Sequence, residues 1–189
     1  MTITGVFGGT FDPPHNGHVA VVEAVLAAGV VDRVVVPVAA DPWQKTGLGE
    51  ITPFSIRYEM TVAAFESVDR VTVSNIEQSL EGPSYTYDLL NALAADDIEH
   101  KPIIGADAAS ALATWHRMED LAQGWEFIVI NRPGHQITLP EQVKFQSIVM
   151  EPVDISSTDI RLATADGQQV SDRVSPAVES LIVKHGLYT

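Results

Sequence analysis

Short apolar runs alternate with longer mixed segments along most of the chain. The runs are rich in β-branched residues, as buried strands are, and lie at 2–7, 33–38, 71–76, 102–105, 125–130 and 147–150. The segments between them predict helices over 17–29, 53–65, 84–95 and 176–185, and a short helix that begins at Ser157. Strands and helices therefore take turns from one end of the sequence to the other.

This alternation predicts an α/β fold: a Rossmann-like, doubly wound parallel sheet with helices on both faces. A strand, a helix and a strand within about 40 residues form a βαβ unit, whose two strands lie parallel. We expect one domain over residues 1–189, because two full domains would be cramped in that length. Ligands bind such sheets at the carboxyl ends of the strands, so the turns that follow strands are the places to search.

The composition of the chain limits the kinds of partner and metal site that it can have. The formal charge of −14 disfavours nucleic acid, whose binding needs many cations against phosphates. The chain has no cysteine, which excludes disulfides and thiolate metal sites. It has no apolar run of about 18 residues and no basic, signal-like start, so we expect a cytoplasmic protein without a membrane partner.

The most informative segment is residues 8–18, which read GGTFDPPHNGH and are called the Gly-His turn below. Adjacent glycines let main-chain amides approach a phosphate, and the helix that begins here adds the positive end of its dipole. His15 and His18 can donate hydrogen bonds to phosphoryl oxygens. Two histidines three residues apart can also cap a helix or form half of a metal site. Neither the Walker pattern nor the Gly-x-Gly-x-x-Gly fingerprint is present.

A second candidate anion site lies at residues 155–161, ISSTDIR. Hydroxyl groups cluster at the predicted start of a helix, and Arg161 follows about one turn later on the same side. A Ser/Thr run before a helix can equally be an ordinary N-cap.

These two segments carry a family resemblance. The Gly-His turn resembles the His-x-Gly-His signature of the nucleotidyltransferase superfamily, and its fuller run is similar to that of the nicotinate-nucleotide adenylyltransferases. Residues 155–161 resemble the same family's Ile-Ser-Ser-Thr-x-Ile-Arg motif, whose serine and arginine hold the ATP phosphates. The likeness covers most of the chain. It departs at residues 170–173 and at Leu181, which affects the expected tail contacts and oligomer packing.

The resemblance implies an enzyme that transfers AMP from ATP to nicotinate mononucleotide, giving nicotinate adenine dinucleotide and pyrophosphate in NAD biosynthesis. Attack on the α-phosphorus would be direct and in line. Catalytic roles fall to His15, His18, Lys45 and Arg161. The residues implied in ATP binding are Gly8, Gly9, Thr10, Phe11, His15, His18, Gly105, Asp107, Arg132, Ile155, Ser156, Ser157 and Arg161. Those implied in binding nicotinate mononucleotide are Lys45, Thr86 and Trp115.

Several of these residues have simpler explanations. Trp115 can be an ordinary packed aromatic, and Asp107 a helix cap. Lys45 can be a solvated loop lysine. Arg57 resembles a helix arginine of the family, and a surface ion pair would explain it as well.

The expected partners are ATP and nicotinate mononucleotide, and the sequence is compatible with a homo-oligomer. Mg²⁺ is expected to bind through the ATP phosphates, with no protein metal ligand. Alternatives are an adenylyltransferase for nicotinamide mononucleotide or another phosphate acceptor such as phosphopantetheine, a non-catalytic nucleotide-binding regulator, and a metal hydrolase that uses the two histidines.

Overall fold

The computed structural model describes residues 1–42, 51–134 and 137–189. The strands are β1 (Thr2–Val6), β2 (Arg33–Pro37), β3 (Val71–Ser74), β4 (Ile98–Gly105), β5 (Phe127–Asn131) and β6 (Phe145–Val149). The helices are α1 (Asn16–Ala27), α2 (Phe54–Phe65), α3 (Thr86–Leu93), α4 (Ala106–Ser110), α5 (Met118–Gly124), α6 (Ser157–Ala165) and α7 (Pro176–Lys184). Short 3₁₀ segments lie at Ile76–Ser79 and Leu112–Thr114. Among these described residues, no helix is both long and apolar enough to cross a bilayer.

The strands of the described ranges form one parallel sheet in the order β3-β2-β1-β4-β5-β6. β1 lies at the centre, with Val6 opposite Val35 of β2 on one side and Pro102 of β4 on the other. The chain builds outwards from β1 through β2 and β3, and then continues on the opposite side of β1 with β4. The strand order therefore reverses between β1 and β4, where sheets of this type bind ligands. The predicted doubly wound fold is confirmed.

Two apolar cores cover the two faces of the sheet. Successive side chains of β4 point into different cores. Ile103 belongs to the first core and Ile104 to the second, because neighbouring side chains of a strand lie on opposite faces of the sheet. Residues of α1, α2, α6 and α7 fill the first core. Residues of α3, α4 and α5 fill the second. Burial on both faces explains why the strands read as continuous apolar runs.

Several predicted boundaries were wrong. β4 begins at Ile98 rather than at residue 102, because Glu99, His100 and Lys101 interrupt the apolar pattern. Lys101 is buried, and its amine pairs with the carboxylates of Glu99 and Glu126. The strand predicted over 71–76 ends at Ser74, and that predicted at 147 begins at Phe145.

The predicted helix over 84–95 spans only Thr86–Leu93, since the backbone of Tyr85 is extended. Two short helices, α4 and α5, were not predicted. Their lengths of five and seven residues are too short for a periodic signal.

Helix α7 offers a matched pair of substitutions to test the first core. Ile182 is 3% exposed in that core, whereas its neighbour Val183 is 75% exposed. Ile182→Ala is expected to lower the free energy of unfolding by about 2–5 kcal/mol, because it leaves a cavity. Val183→Ala should change it by about 0.5 kcal/mol or less. Urea denaturation measures both. Equal losses would contradict the assigned packing of α7.

Candidate active site

The carboxyl ends of β1 and β4 open onto a cavity of about 280 Å³. It lies at the reversal of strand order, as expected for this sheet. Six residues of the predicted site line it: Gly8, Gly9, Thr10, Thr86, Gly105 and Trp115. The ATP-side turn and the proposed mononucleotide segments, which are far apart in the sequence, therefore share one cavity.

Phe11 shapes the Gly-His turn from inside the protein. Its backbone takes the left-handed conformation (φ 51°), and its side chain is 2% exposed. The ring packs edge-on against the rings of His18, Phe7 and Phe65, with centroids 5.0, 6.0 and 6.5 Å away. A Cβ on Gly9 would lie 2.8 Å from the Phe11 ring, so this close approach requires glycine. Phe11 is thus a core residue that supports the turn.

The two histidines of the turn lie face to face. Their ring centroids are 3.6 Å apart, with 28° between the planes. The main-chain N–H of His15 donates to Nδ1 of His18 over 3.1 Å. Because Nδ1 accepts this bond, the proton of a neutral His18 ring is on Nε2, which becomes the ring's donor. The capping alternative is therefore correct for Nδ1 of His18.

Helix α6 is tied directly to the Gly-His turn. The Ser157 hydroxyl donates to the carbonyl of Pro13 over 2.8 Å, and the Arg161 guanidinium donates to the carbonyl of Asp12 over 2.8 Å. Ser156 is the N-cap of α6, and its hydroxyl accepts the N–H of Asp159. The ordinary N-cap explanation thus fits Ser156, while Ser157 and Arg161 join the second predicted anion site to the first.

Arg57 is part of the same construction. It is 2% exposed, so the surface ion pair suggested as its alternative is wrong. Its guanidinium donates to the carbonyls of Thr10 and Thr52, both over 2.8 Å. Burial lowers the pKa of Arg57, and the nearby Asp12 acts in the opposite direction. The side chain holds the turn to the start of α2.

The other end of the cavity carries aromatic rings at the start of α3. Tyr85, the N-cap residue, stacks on His116 with centroids 4.2 Å apart. Thr86 begins the helix and lines the cavity. Trp115 is half-buried: it packs on the second core, as the packed-aromatic explanation has it, and it also lines the cavity. A flat ring bound here would meet several aromatic faces beside a helix N-terminus.

Glu77 is a cavity residue that the sequence analysis did not identify. It is 6% exposed, and its carboxylate accepts the N–H of Ala40 over 3.2 Å. Burial raises the pKa of Glu77, while hydrogen bonds from Ser84 and Ala40 lower it. Ser84 in turn accepts the N–H of Asp41. These hydrogen bonds of Glu77 and Ser84 join the loop after β2 to the loop before α3. Its only sequence signal is its place just after a strand.

The cavity lining does not include His15, His18, Ser157 and Arg161, which lie in the Gly-His turn and α6, and the other predicted residues also stand apart from it. Asp107, in the first turn of α4, and Arg132, just after β5, are both exposed. Ile155 packs partly on the first core. Lys45 lies outside the described residues. In the described part of the chain, no three His, Asp or Glu side chains are grouped to hold a metal ion.

The divergent residues 170–173 still contact the Gly-His turn. The carbonyl of Arg173 accepts the N–H of Asn16 over 2.8 Å, and the carbonyl of Asp172 accepts the Asn16 side chain over 3.2 Å. Main-chain groups make these contacts, so the change of side chains in this segment leaves them in place.

Comparisons with known proteins agree with this geometry. The cytidylyltransferase-like family matches residues 6–163. A protein of Leifsonia xyli subsp. xyli named as a probable nicotinate-nucleotide adenylyltransferase is 38% identical, over 97% of this chain and 92% of that protein. A protein of Thermus thermophilus with the same name is 37% identical, over 97% and 98%.

Among solved structures, the fold is similar to that of Plasmodium falciparum nicotinic acid mononucleotide adenylyltransferase complexed with NaAD. The TM-score is 0.82, with 20% identity, and the match covers 100% of this chain and 98% of that one. At this identity the likeness concerns the fold.

The contact between Gly9 and Phe11 gives a test of the turn. Gly9→Ala is expected to lower the free energy of unfolding by about 1–3 kcal/mol, because the new methyl overlaps a packed ring. In Gly8→Ala the new methyl lies 3.7 Å from its nearest neighbour, an ordinary contact, and the change should be about 0.5 kcal/mol or less. Urea denaturation compares the two. A larger loss at Gly8 would refute the assigned ring contact.

Proposed function

The chain belongs to the nicotinate-nucleotide adenylyltransferases of the cytidylyltransferase-like family, and on this premise we propose how its residues carry out the reaction. The enzyme joins the AMP part of ATP to nicotinate mononucleotide, releasing pyrophosphate and forming nicotinate adenine dinucleotide for NAD biosynthesis. The observation that carries the residue-level proposal is the connection between the Gly-His turn and α6 beside one cavity.

The ATP phosphates are assigned to the Gly-His turn and the start of α6. The N-terminus of α1 attracts anionic oxygens, and the small residues Gly8 and Gly9 let them come close to the main chain. The N–H of Gly9 itself donates to the carbonyl of Pro37. His18 contributes the Nε2–H donor that its Nδ1 contact selects. Arg161, already at the turn, adds a positive charge. The observed bonds of Ser157 and Arg161 to carbonyls give them a second task, which is to hold the turn itself.

The mononucleotide is assigned to the far end of the cavity. The nicotinate ring would lie against Trp115, and its carboxylate would accept main-chain N–H groups at Thr86, where α3 begins. Glu77 keeps this wall in place through Ala40 and Ser84. Lys45 follows β2 in the sequence and is assigned to a substrate phosphate.

The substrate phosphate is itself the nucleophile. Its oxygen attacks the α-phosphorus of ATP, the bond to the bridging oxygen breaks, and pyrophosphate leaves. No covalent intermediate with the protein is needed, so the protein's task is to align the two phosphates and to stabilise the charge on their oxygens.

A divalent metal accompanies ATP in this family, and we assign it to Mg²⁺. We assign the ion to the triphosphate oxygens and water, because Mg²⁺ keeps several of its waters and often binds through substrate phosphates. When bound, the ion neutralises charge on the phosphates.

The choice of acceptor is the first test of this function. Pyrophosphate release is measured with ATP and Mg²⁺ and, in separate reactions, nicotinate mononucleotide, nicotinamide mononucleotide or phosphopantetheine. We expect release with nicotinate mononucleotide and at least about 10-fold less with the nicotinamide form, which cannot present a carboxylate to α3. Faster release with either other acceptor would overturn the substrate assignment. No release with any of the three would favour a nucleotide-binding regulator.

His18→Ala tests the role of the turn in turnover. We expect kcat to fall about 10²-fold or more, as happens when one preorganised donor is removed. His185→Ala is the matched control, because His185 is the residue that follows α7 and its ring contacts the exposed carboxylate of Glu59. A folded His18→Ala variant with kcat near that of His185→Ala would remove His18 from the mechanism.

A further inference from the structure

Tyr188 reaches across the fold to the Gly-His turn. Its hydroxyl donates to Oδ1 of Asp12 over 2.6 Å, although the two residues are 176 positions apart. The second carboxylate oxygen of Asp12 accepts the N–H of Thr52 over 3.2 Å. Asp12 is 5% exposed, so these donors, rather than water, satisfy its carboxylate.

An uncommon backbone conformation occurs at Tyr188 and at the residue that precedes Asp12. Tyr188 has φ 63° and Phe11, next to Asp12, has φ 51°. Bulky residues rarely adopt left-handed conformations, and they persist where surrounding contacts determine them. Tyr188 also packs on the first core, whereas its hydroxyl makes the contact with Asp12. A left-handed backbone thus occurs at Tyr188 itself and next to Asp12, the two residues that the short hydrogen bond joins.

The position of Asp12 explains why this contact matters for an anionic ligand. Its carboxylate lies within the turn, and its own carbonyl accepts the guanidinium of Arg161. A carboxylate left mobile here could turn towards bound phosphates and repel them, or draw Arg161 away. Burial and the bond to Asp12 both raise the pKa of Tyr188, so its hydroxyl remains a donor at neutral pH.

We propose that Tyr188 is a positioning residue for adenylyl transfer: its hydroxyl fixes the Asp12 carboxylate and so keeps the Gly-His turn aligned with the ATP phosphates. Tyr188 is not among the residues that line the cavity. It acts through Asp12, whose backbone is also held by Arg161. This inference rests on the proposed function and adds a residue outside the cavity lining to those that hold the Gly-His turn.

The test compares Tyr188→Phe with Tyr58→Phe, a hydroxyl deletion on α2, where the ring of Tyr58 stacks on Phe54. We expect Tyr188→Phe to lower kcat about 10-fold, because small misalignments of a phosphate site are costly, and to change KM for ATP and for nicotinate mononucleotide about twofold or less. Tyr58→Phe should leave kcat and both KM values unchanged. Thermal unfolding of each variant, assayed well below its midpoint, separates alignment from loss of folded protein.

A cycle with Asp12→Asn shows whether Tyr188 acts through Asp12. We expect the two substitutions together to lower kcat little more than the larger single effect, as residues acting as a unit do. Effects on kcat that multiply would overturn the proposal. So would a folded Tyr188→Phe enzyme with the kcat of the Tyr58→Phe control.

Imidazole NMR signals of the free protein supply a readout that does not depend on turnover. In Tyr188→Phe the His15 and His18 signals should shift, whereas in Tyr58→Phe they should not. Unshifted signals would overturn the positioning role. Absence of turnover in the unmodified enzyme would instead refute the proposed function, and the imidazole signals would still report on the contact.

Discussion

The carbonyl groups of the Gly-His turn are the constraint on which the rest of the site depends. A turn that binds phosphates must present N–H groups to them, and its carbonyls must find other partners. Here buried Arg57 holds the carbonyl of Thr10, Arg161 holds that of Asp12, and Ser157 holds that of Pro13. Three side-chain donors on two helices therefore occupy three carbonyls of this short segment and fix the direction in which they point.

Because these donors come from distant parts of the sequence, the site forms only when the whole domain is folded. They lie 47, 144 and 149 residues from the carbonyls that they bind. The parallel sheet brings them together because the strand order reverses beside β1 and the chain returns to the first face with α6. The same reversal opens the cavity between β1 and β4, so one topological feature accounts for both the place of the Gly-His turn and the cavity beside it.

The sequence predicted the fold and the two phosphate segments because each has a local signature. Buried parallel strands read as apolar runs, and glycines before a helix with two histidines are rare by chance. Glu77 carries no such signature, and Arg57 is marked only by its resemblance to a helix arginine of the family. A charged residue in a helix or after a strand is usually at the surface, and only tertiary contacts reveal that these two are buried. The buried position of the Phe11 side chain likewise depends on a left-handed backbone conformation, and no residue pattern in the sequence predicts that conformation.

The most direct measurement is a crystal structure of the enzyme with a non-hydrolysable ATP analogue and Mg²⁺. We expect the triphosphate to lie between the Gly-His turn and the start of α6, with phosphoryl oxygens near Nε2 of His18 and the guanidinium of Arg161. The open end of the cavity at Trp115 should remain accessible to the mononucleotide. A triphosphate bound elsewhere, for example at the amino ends of β4 and β5, would contradict the assignment of the turn as the phosphate site.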